Sequence, residues 1–131
     1  MASIFSRIVK GEIPSYKVAE SDKYYAFLDI NPLVKGHTLV IPKEETDYFF
    51  DLSDNDLGDI MMFAKKVAAA LKKSYPDRRV GVAVVGFDVP HAHIHLVPMQ
   101  GIQDIDFKRA RVKLTPAEFQ TISDKIAENM E

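Results

Sequence analysis

The chain has 131 residues, 47% of them hydrophobic, and a formal net charge of -2 because 17 basic residues are mixed with 19 acidic ones. This length fits a single domain, residues 1–131, with a hydrophobic core of its own. The near-neutral charge gives no electrostatic footprint for nucleic acid or an anionic membrane, and the absence of cysteine excludes disulfides, thiolate zinc sites and cysteine nucleophiles.

The amino-terminal ten residues contain Arg7 and Lys10 and have no long apolar stretch. This composition argues against a secretory signal, and no segment approaches the ~20 apolar residues of a membrane-spanning helix. We therefore expect a cytoplasmic protein whose ligand is a small molecule.

Hydrophobic spacing predicts a short helix near the amino terminus and then three strands. Apolar side chains share one helical face of residues 3–10, and Gly11 and Pro14 stop the helix. Two strands joined by a short turn follow, and a third, buried strand is bracketed by Gly36 and Pro42. The predicted strands cover residues 17–20, 24–28 and 37–41.

The middle of the chain predicts a long packing helix and then a strand pair. Ser53 has the features of an N-cap, and apolar residues at helical spacing continue to about Ser74. Residues 80–85 are apolar throughout, which predicts a central strand. A turn at residues 86–90 then leads into a His-rich strand that should pair with it.

A capping box marks the beginning of the last helix. Thr115 is the predicted cap, Pro116 occupies the first helical position and Glu118 completes the box, so the helix should run to about Asn129. Strands grouped between helices, without regular alternation, favour an α+β fold with an antiparallel sheet.

Three of the four histidines, His91, His93 and His95, alternate with apolar residues in one short run. In a strand they would project from one face, about 6.6 Å apart at about 3.3 Å of rise per residue. Such a row provides a nucleophile, a helper and an orienting group around one small anionic centre. An ordinary half-buried edge strand shows the same alternation, but three identical titratable side chains in five positions favour the functional interpretation.

Residues 91–97 match every position of the signature His-φ-His-φ-His-φ-φ, with φ apolar, and the chain thereby resembles the histidine triad family. Three further segments, residues 4–14, 26–32 and 36–43, resemble the Hint branch in the family's order. The ending after Pro98 lacks tryptophan and is similar to a bacterial-type member.

The resemblance implies a five-stranded antiparallel sheet with two main helices and a short amino-terminal helix, continued across a homodimer. It also implies a purine nucleotide substrate, such as a nucleoside 5′-phosphoramidate, that is cleaved at its α-phosphate. His93 would be the nucleophile, with its Nδ1–H held by a backbone carbonyl. His95 would donate to a phosphate oxygen, and His91 would brace the row.

The chemistry of imidazole agrees with this division of roles. An attacking imidazole must be neutral, a phosphate oxygen is best stabilised by a donor, and adjacent imidazoles discourage each other from charging. Transfer to a histidine followed by attack of water replaces one hard displacement with two easier ones, and it formally requires no metal.

The resemblance also implies a nucleotide-binding set. Asp29 would accept the two ribose hydroxyls, although a turn cap before Asn31 and Pro32 is the ordinary explanation of an Asp there. From the pattern alone, the apolar members are as well explained as plain core residues. The remaining members of the set are Phe5, Ile8, Phe27, Leu28, Ile30, His37 and Val89.

A zinc site is an alternative use of histidines. Some bacterial relatives carry Cys-x-x-Cys at the positions of Ser3 and Ser6 and use it with the residues matching His37 and His91. Serine is a poor zinc ligand, so we expect no metal or other cofactor, and we expect His37 and His91 to form a hydrogen-bonded layer behind the reacting atoms.

The loop before the triad departs from the Hint pattern. The usual Gly-Gln-Ser/Thr-Val is replaced by Gly86-Phe87-Asp88-Val89, so two expected donors are missing. A carboxylate at Asp88 would repel a phosphate unless it points away or is protonated. This departure leaves two alternatives open, a nucleotide-binding or partner-binding module with weak or no catalysis and a dinucleoside polyphosphate hydrolase.

Overall fold

The computed structural model describes residues 2–130. Its five strands form one antiparallel sheet in the order β1-β2-β3-β5-β4, which confirms the predicted α+β fold. No helix in this described range is long and apolar enough to cross a membrane. The elements are α1 Ile4–Val9, β1 Lys17–Glu20, β2 Tyr24–Leu28, β3 Thr38–Pro42, α2 Asp54–Ser74, β4 Arg79–Ala83, β5 Ile94–Met99 and α3 Pro116–Glu128, with short 3-10 turns at Phe49–Asp51 and Ile102–Ile105.

The helix boundaries follow the local capping signals. The Ser53 hydroxyl accepts from the backbone N–H of Asp56 at the start of α2. Thr115 and Glu118 form the predicted capping box at the start of α3. Because a cap satisfies N–H groups that have no partner within the helix, these two helices begin where the sequence predicted.

The two faces of the sheet carry different layers. Along β2, Tyr24, Ala26 and Leu28 join the main core with α2 and α3, whereas Tyr25 and Phe27 join a smaller cluster with α1. On β5, Ile94 and Leu96 likewise enter the main core. His95 therefore projects to the opposite face, the side of α1, as the alternation along a strand requires.

The prediction of a central strand at residues 80–85 is wrong in two respects. β4 ends at Ala83, and it lies at the edge of the sheet, where it pairs with β5 alone in the described chain. Val82 and Val85 are each 52% exposed. An unbroken apolar run is typical of a strand buried on both faces, but it equally fits an edge strand that keeps an apolar surface.

The His-rich strand begins later than predicted. β5 starts at Ile94, so His91 and His93 belong to the segment before it. In that segment the backbone N–H of His91 donates to Val89 and that of Ala92 donates to Thr46. These bonds replace the sheet ladder, so the strand register does not extend to the first two histidines.

Candidate functional site

All four histidines lie together in the interior, on the face of the sheet that carries α1. His37, His91, His93 and His95 are each no more than 3% exposed. The ring centroids of His93 and His95 are 4.9 Å apart, and those of His37 and His95 are 5.2 Å apart. The separation of the His93 and His95 rings is shorter than the spacing of about 6.6 Å that an ideal strand predicts, and His93 lies outside the strand.

His93 is held by the backbone of its own segment. Its Nδ1 lies 2.7 Å from the carbonyl oxygen of His91. Because a carbonyl only accepts, Nδ1 carries the hydrogen and Nε2 keeps a lone pair when the ring is neutral. The hydrogen bond that the resemblance implied for this ring is therefore present.

A chain of hydrogen bonds fixes His37 and His95. The backbone N–H of Leu33 donates to Nδ1 of His37 across 3.0 Å, so the hydrogen of His37 sits on Nε2. That Nε2–H then donates to Nδ1 of His95, also across 3.0 Å. It follows that Nε2 of neutral His95 carries a hydrogen and serves as a donor.

Burial keeps both of these rings neutral. Burial first, and then the neighbouring His95, lowers the pKa of His37 to about 3. Burial, followed by the neighbouring His93, lowers the pKa of His95 to about 4. Near pH 7 both side chains are therefore uncharged, and the tautomers set by the hydrogen bonds apply.

Asp29 lies next to the hydrogen-bonded His37 and His95. Its Oδ2 is 3.6 Å from Nε2 of His37, and its Oδ1 accepts the backbone N–H of Asn31 at 2.8 Å. The second bond is the turn cap that the sequence analysis gave as the ordinary explanation. Burial raises the pKa of Asp29.

Asp29, His37 and His95 are also the described residues best placed to hold a metal ion. One potential ligand atom from each lies within 4.8 Å of the others. The two imidazole nitrogens nearest each other are already joined by the hydrogen bond between the rings. We therefore assign this cluster to hydrogen bonding.

His91 belongs to a different network at the start of α1. Its Nε2–H donates to the carbonyl of Pro42 at 2.8 Å, and its Nδ1 accepts the hydroxyl of Ser3 at 2.8 Å. The backbone N–H of Ser3 and the hydroxyl of Ser6 both donate to Oε1 of Glu45, at 2.6 and 2.7 Å.

These donors stabilise the ionised carboxyl and lower the pKa of Glu45 to about 2. His91 therefore shares its surroundings with Ser3, Ser6 and Glu45. His37 contacts Leu33, Asp29 and His95. His37 and His91 therefore lie in separate hydrogen-bond networks.

Apolar side chains form a wall behind the histidines. The Phe5 ring meets the rings of His93 and Phe27 edge to face, at centroid distances of 5.1 and 5.5 Å. Ile8 and Val89 pack against the same cluster. One predicted member of the nucleotide-binding set lies elsewhere, because Leu28 packs in the main core on the other face of the sheet. Ile30, next to Asp29 in the sequence, is 70% exposed.

Sequence reasoning missed two groups that the carboxyl-terminal segment brings to the site. The Phe107 ring lies 4.7 Å from that of His95, centroid to centroid. The Arg111 guanidinium donates to the carbonyl oxygens of Asn31 at 2.7 Å and Phe107 at 3.2 Å. Arg111 thus supplies a positive charge near Asp29. Its contact with Asn31 joins residues 80 positions apart, which no local pattern signals.

A carboxylate at Asp88 was expected to repel phosphate unless it pointed away or was protonated. In the structure the Asp88 side chain points toward the triad. Its Oδ1 is 3.3 Å from Nε2 of His93. Next to this contact a cavity of about 270 Å³ opens beside His93. The cavity walls include Tyr48, Phe50, Val85 and Phe87.

All four histidines lie in a part of the chain that matches a known protein family. The HIT domain family model matches residues 10–102, which is most of the chain. The chain belongs to the histidine triad family.

Curated histidine triad relatives cover this chain to different extents. An uncharacterised HIT-like protein of Borreliella burgdorferi is 36% identical over 135 residues, which span 97% of each chain. The adenosine 5′-monophosphoramidase HNT1 of Saccharomyces cerevisiae is 42% identical over 98 residues. That match covers 74% of this chain and 62% of the yeast protein.

Solved structures share the histidine triad fold. A Hit-like protein from Bartonella henselae superposes with a TM-score of 0.82 at 30% identity, covering 97% of this chain and 95% of that one. A Zn-bound histidine triad family protein from Mycobacterium smegmatis gives the same TM-score of 0.82 at 25% identity, covering 99% and 94%. The five-stranded sheet and its helices are therefore those of the family.

Proposed function

We propose that this chain is a nucleotide hydrolase or transferase that cleaves purine nucleoside 5′-phosphoramidates at the α-phosphate through a nucleotidyl-His93 intermediate. The observation that carries the proposal is the bond from His93 Nδ1–H to the His91 carbonyl, which leaves the Nε2 lone pair available for attack. The similarity to adenosine 5′-monophosphoramidases supports the choice of substrate class.

In the first proposed step, Nε2 of His93 attacks the α-phosphorus and the leaving group departs. Charge grows on the phosphate oxygens as this bond forms, and a fixed donor at that point lowers the barrier. His95 suits this role because its Nδ1 is occupied by His37 and its Nε2–H is free to donate. In the second step, water attacks the phosphorus and releases the nucleotide.

The nucleotide itself is proposed to lie between the carboxylate of Asp29 and the apolar wall. Asp29 accepts one backbone bond on Oδ1, and its other oxygen remains able to accept a ribose hydroxyl. Phe5, Phe27, Ile8 and Val89 offer apolar surface for a purine ring. His37 contributes by holding His95, and Ile30 is exposed beside Asp29, where it offers surface to the nucleoside.

We further propose that two copies of the chain pair through β4. This strand forms the sheet edge and carries half-exposed Val82, followed by half-exposed Val85. An open apolar edge favours pairing with another strand, and a two-fold axis would continue the sheet across both copies. Light scattering after gel filtration should give twice the chain mass, and a monomeric mass at micromolar concentration would reject the pairing.

The catalytic proposal is tested by His93→Ala. We expect the variant to lose turnover of adenosine 5′-phosphoramidate, followed chromatographically, while AMP binding by calorimetry stays close to that of the native chain. Ile102→Ala, at an 82% exposed position, is the control variant, and it should fold and turn over substrate like the native chain. Full activity in His93→Ala would reject the mechanism, and AMP binding without turnover in the native chain would favour the binding-module alternative.

A further inference from the structure

The loop between β4 and β5 brings a carboxylate against the proposed nucleophile. Gly86 has a φ of 87°, in the left-handed region, which lets the chain reverse direction ahead of Asp88. Oδ1 of Asp88 then lies 3.3 Å from Nε2 of His93. The Asp88 side chain is 72% exposed, so it covers the nitrogen from the solvent side.

The protonation of these two groups decides whether their contact is favourable. Within residues 2–130, Nε2 of His93 is a buried atom with no hydrogen-bond partner. A neutral Nε2 and a carboxylate oxygen are both acceptors, so their approach is favourable only when a proton lies on one of them. The other ring nitrogen already donates to the His91 carbonyl, which confines that proton to the side facing Asp88.

Asp88 lies on the side of His93 from which the phosphorus atom would approach. A phosphorus atom approaching Nε2 must displace the Asp88 carboxylate, which lies 3.3 Å from that nitrogen and is exposed to solvent. In an in-line displacement, the leaving group departs on the side opposite the nucleophile, which is the same solvent side. An Asp88 side chain displaced to the solvent side would lie where the leaving group departs.

The reaction needs a proton at that place. An amine leaves a phosphoramidate only after its nitrogen is protonated, because the amide anion is far too basic. His95 donates toward the phosphate oxygens, and the Phe87 side chain has no group that could supply a proton. Oδ1 of Asp88 lies 3.3 Å from Nε2 of His93, close to where this proton is needed.

We propose that Asp88 is the general acid and base of this site, an inference that rests on the proposed function. When Nε2 bonds to phosphorus and the phosphorus–nitrogen bond breaks, the protonated carboxyl of Asp88 gives its proton to the leaving nitrogen. When water attacks the nucleotidyl-His93, its proton passes to Asp88, the phosphorus–Nε2 bond breaks, and the resting pair is restored. Protons and electron pairs balance over the two steps.

Two substrates with different leaving groups test this assignment in single-turnover experiments. One is adenosine 5′-phosphoramidate, whose leaving nitrogen needs a proton, and the other is the p-nitrophenyl ester of AMP, whose phenolate departs without one. In Asp88→Asn, ammonia release should slow by about 10²- to 10⁴-fold, whereas the first burst of p-nitrophenolate should stay within about threefold of the native chain. Asp77→Asn, at a carboxylate that is 74% exposed, is the matched control.

The outcomes separate this inference from its rivals. If Asp88→Asn releases ammonia at the native rate, or loses both first steps equally, the acid role is rejected. If both steps accelerate, Asp88 is only a cover that competes with the phosphate, and the inference fails. If the native chain releases neither leaving group, the proposed function itself fails and takes this inference with it.

Discussion

Nε2 of His37 donates to Nδ1 of His95 across 3.0 Å, in the interior of the site. Through this bond a residue outside the triad decides which nitrogen of His95 carries its hydrogen. His37 is itself fixed by the backbone N–H of Leu33. The donor proposed to face the phosphate is therefore set by a chain of bonds that begins in the backbone.

Removing this bond should impair turnover more than binding. In His37→Ala the buried Nδ1 of His95 loses its donor, a loss of about 1–3 kcal/mol. Since about 1.4 kcal/mol is a factor of ten in rate, we expect kcat to fall about 5- to 150-fold with little change in KM, because the hydrogen position on the proposed donor is no longer fixed. His37→Gln retains an amide N–H and should recover part of the loss. Unchanged kcat in both variants would contradict the role of this bond.

The same burial predicts how stability depends on pH. The pKa of His37 is about 3 in the folded chain, against 6.5 for an unperturbed histidine. Between these values the unfolded chain binds the extra proton, so the free energy of unfolding should decrease as the pH falls from 6.5 toward 3. Urea unfolding at a series of pH values should show a shallower decrease in His37→Gln. Equal slopes for both chains would reject this assignment.

Glu45 should stabilise the fold through the Ser3 and Ser6 bonds. Its pKa is about 2 in the folded chain, against 4.5 for an unperturbed glutamate, so its contribution is complete above pH 4.5 and lost as the pH falls toward 2. Thermal unfolding should therefore find Glu45→Gln less stable than the native chain at pH 7, with the difference shrinking in acid. Glu44→Gln, at the exposed neighbouring carboxylate, is the control. A difference that stays constant down to pH 2 would contradict the assignment.

Burial predicts different effects for an isoleucine on β5 and one in the 3-10 turn that follows it. Ile94 is fully buried in the main core, and Ile102 is 82% exposed. Ile94→Ala should lower the free energy of unfolding by about 2–5 kcal/mol, because it removes buried apolar contacts and leaves a cavity. Ile102→Ala should change it by less than about 0.5 kcal/mol. Similar values for the two variants in urea titrations would contradict the burial of Ile94 in the main core.

The parts of the fold that depend on residues close together in the sequence were predictable. The caps at Ser53 and Thr115 are local signals, and they predicted where α2 and α3 begin. The face alternation of Ile94 and Leu96 was also correct. The edge position of β4 was not predictable, because an apolar run does not reveal which strands lie beside it.

The part of the site that the histidine motif contains was predictable. The repeated histidines and their resemblance indicated that a backbone carbonyl would hold Nδ1–H of His93, and in the structure this is the carbonyl of His91. The Asp88 contact depends on how the loop turns at Gly86, and the Arg111 contact depends on a distant segment folding back. Neither contact produces a repeating pattern of residues in the sequence, so neither could be predicted from it.

The central claim is that His93 carries the nucleotidyl group during turnover. The native chain should be mixed with adenosine 5′-phosphoramidate, denatured within the first turnover at alkaline pH, where a phosphorus–nitrogen bond to histidine survives, and mapped by mass spectrometry. We predict an AMP adduct on the peptide that contains His93, and none in His93→Ala. Turnover without any adduct, or an adduct that persists in His93→Ala, would contradict the account.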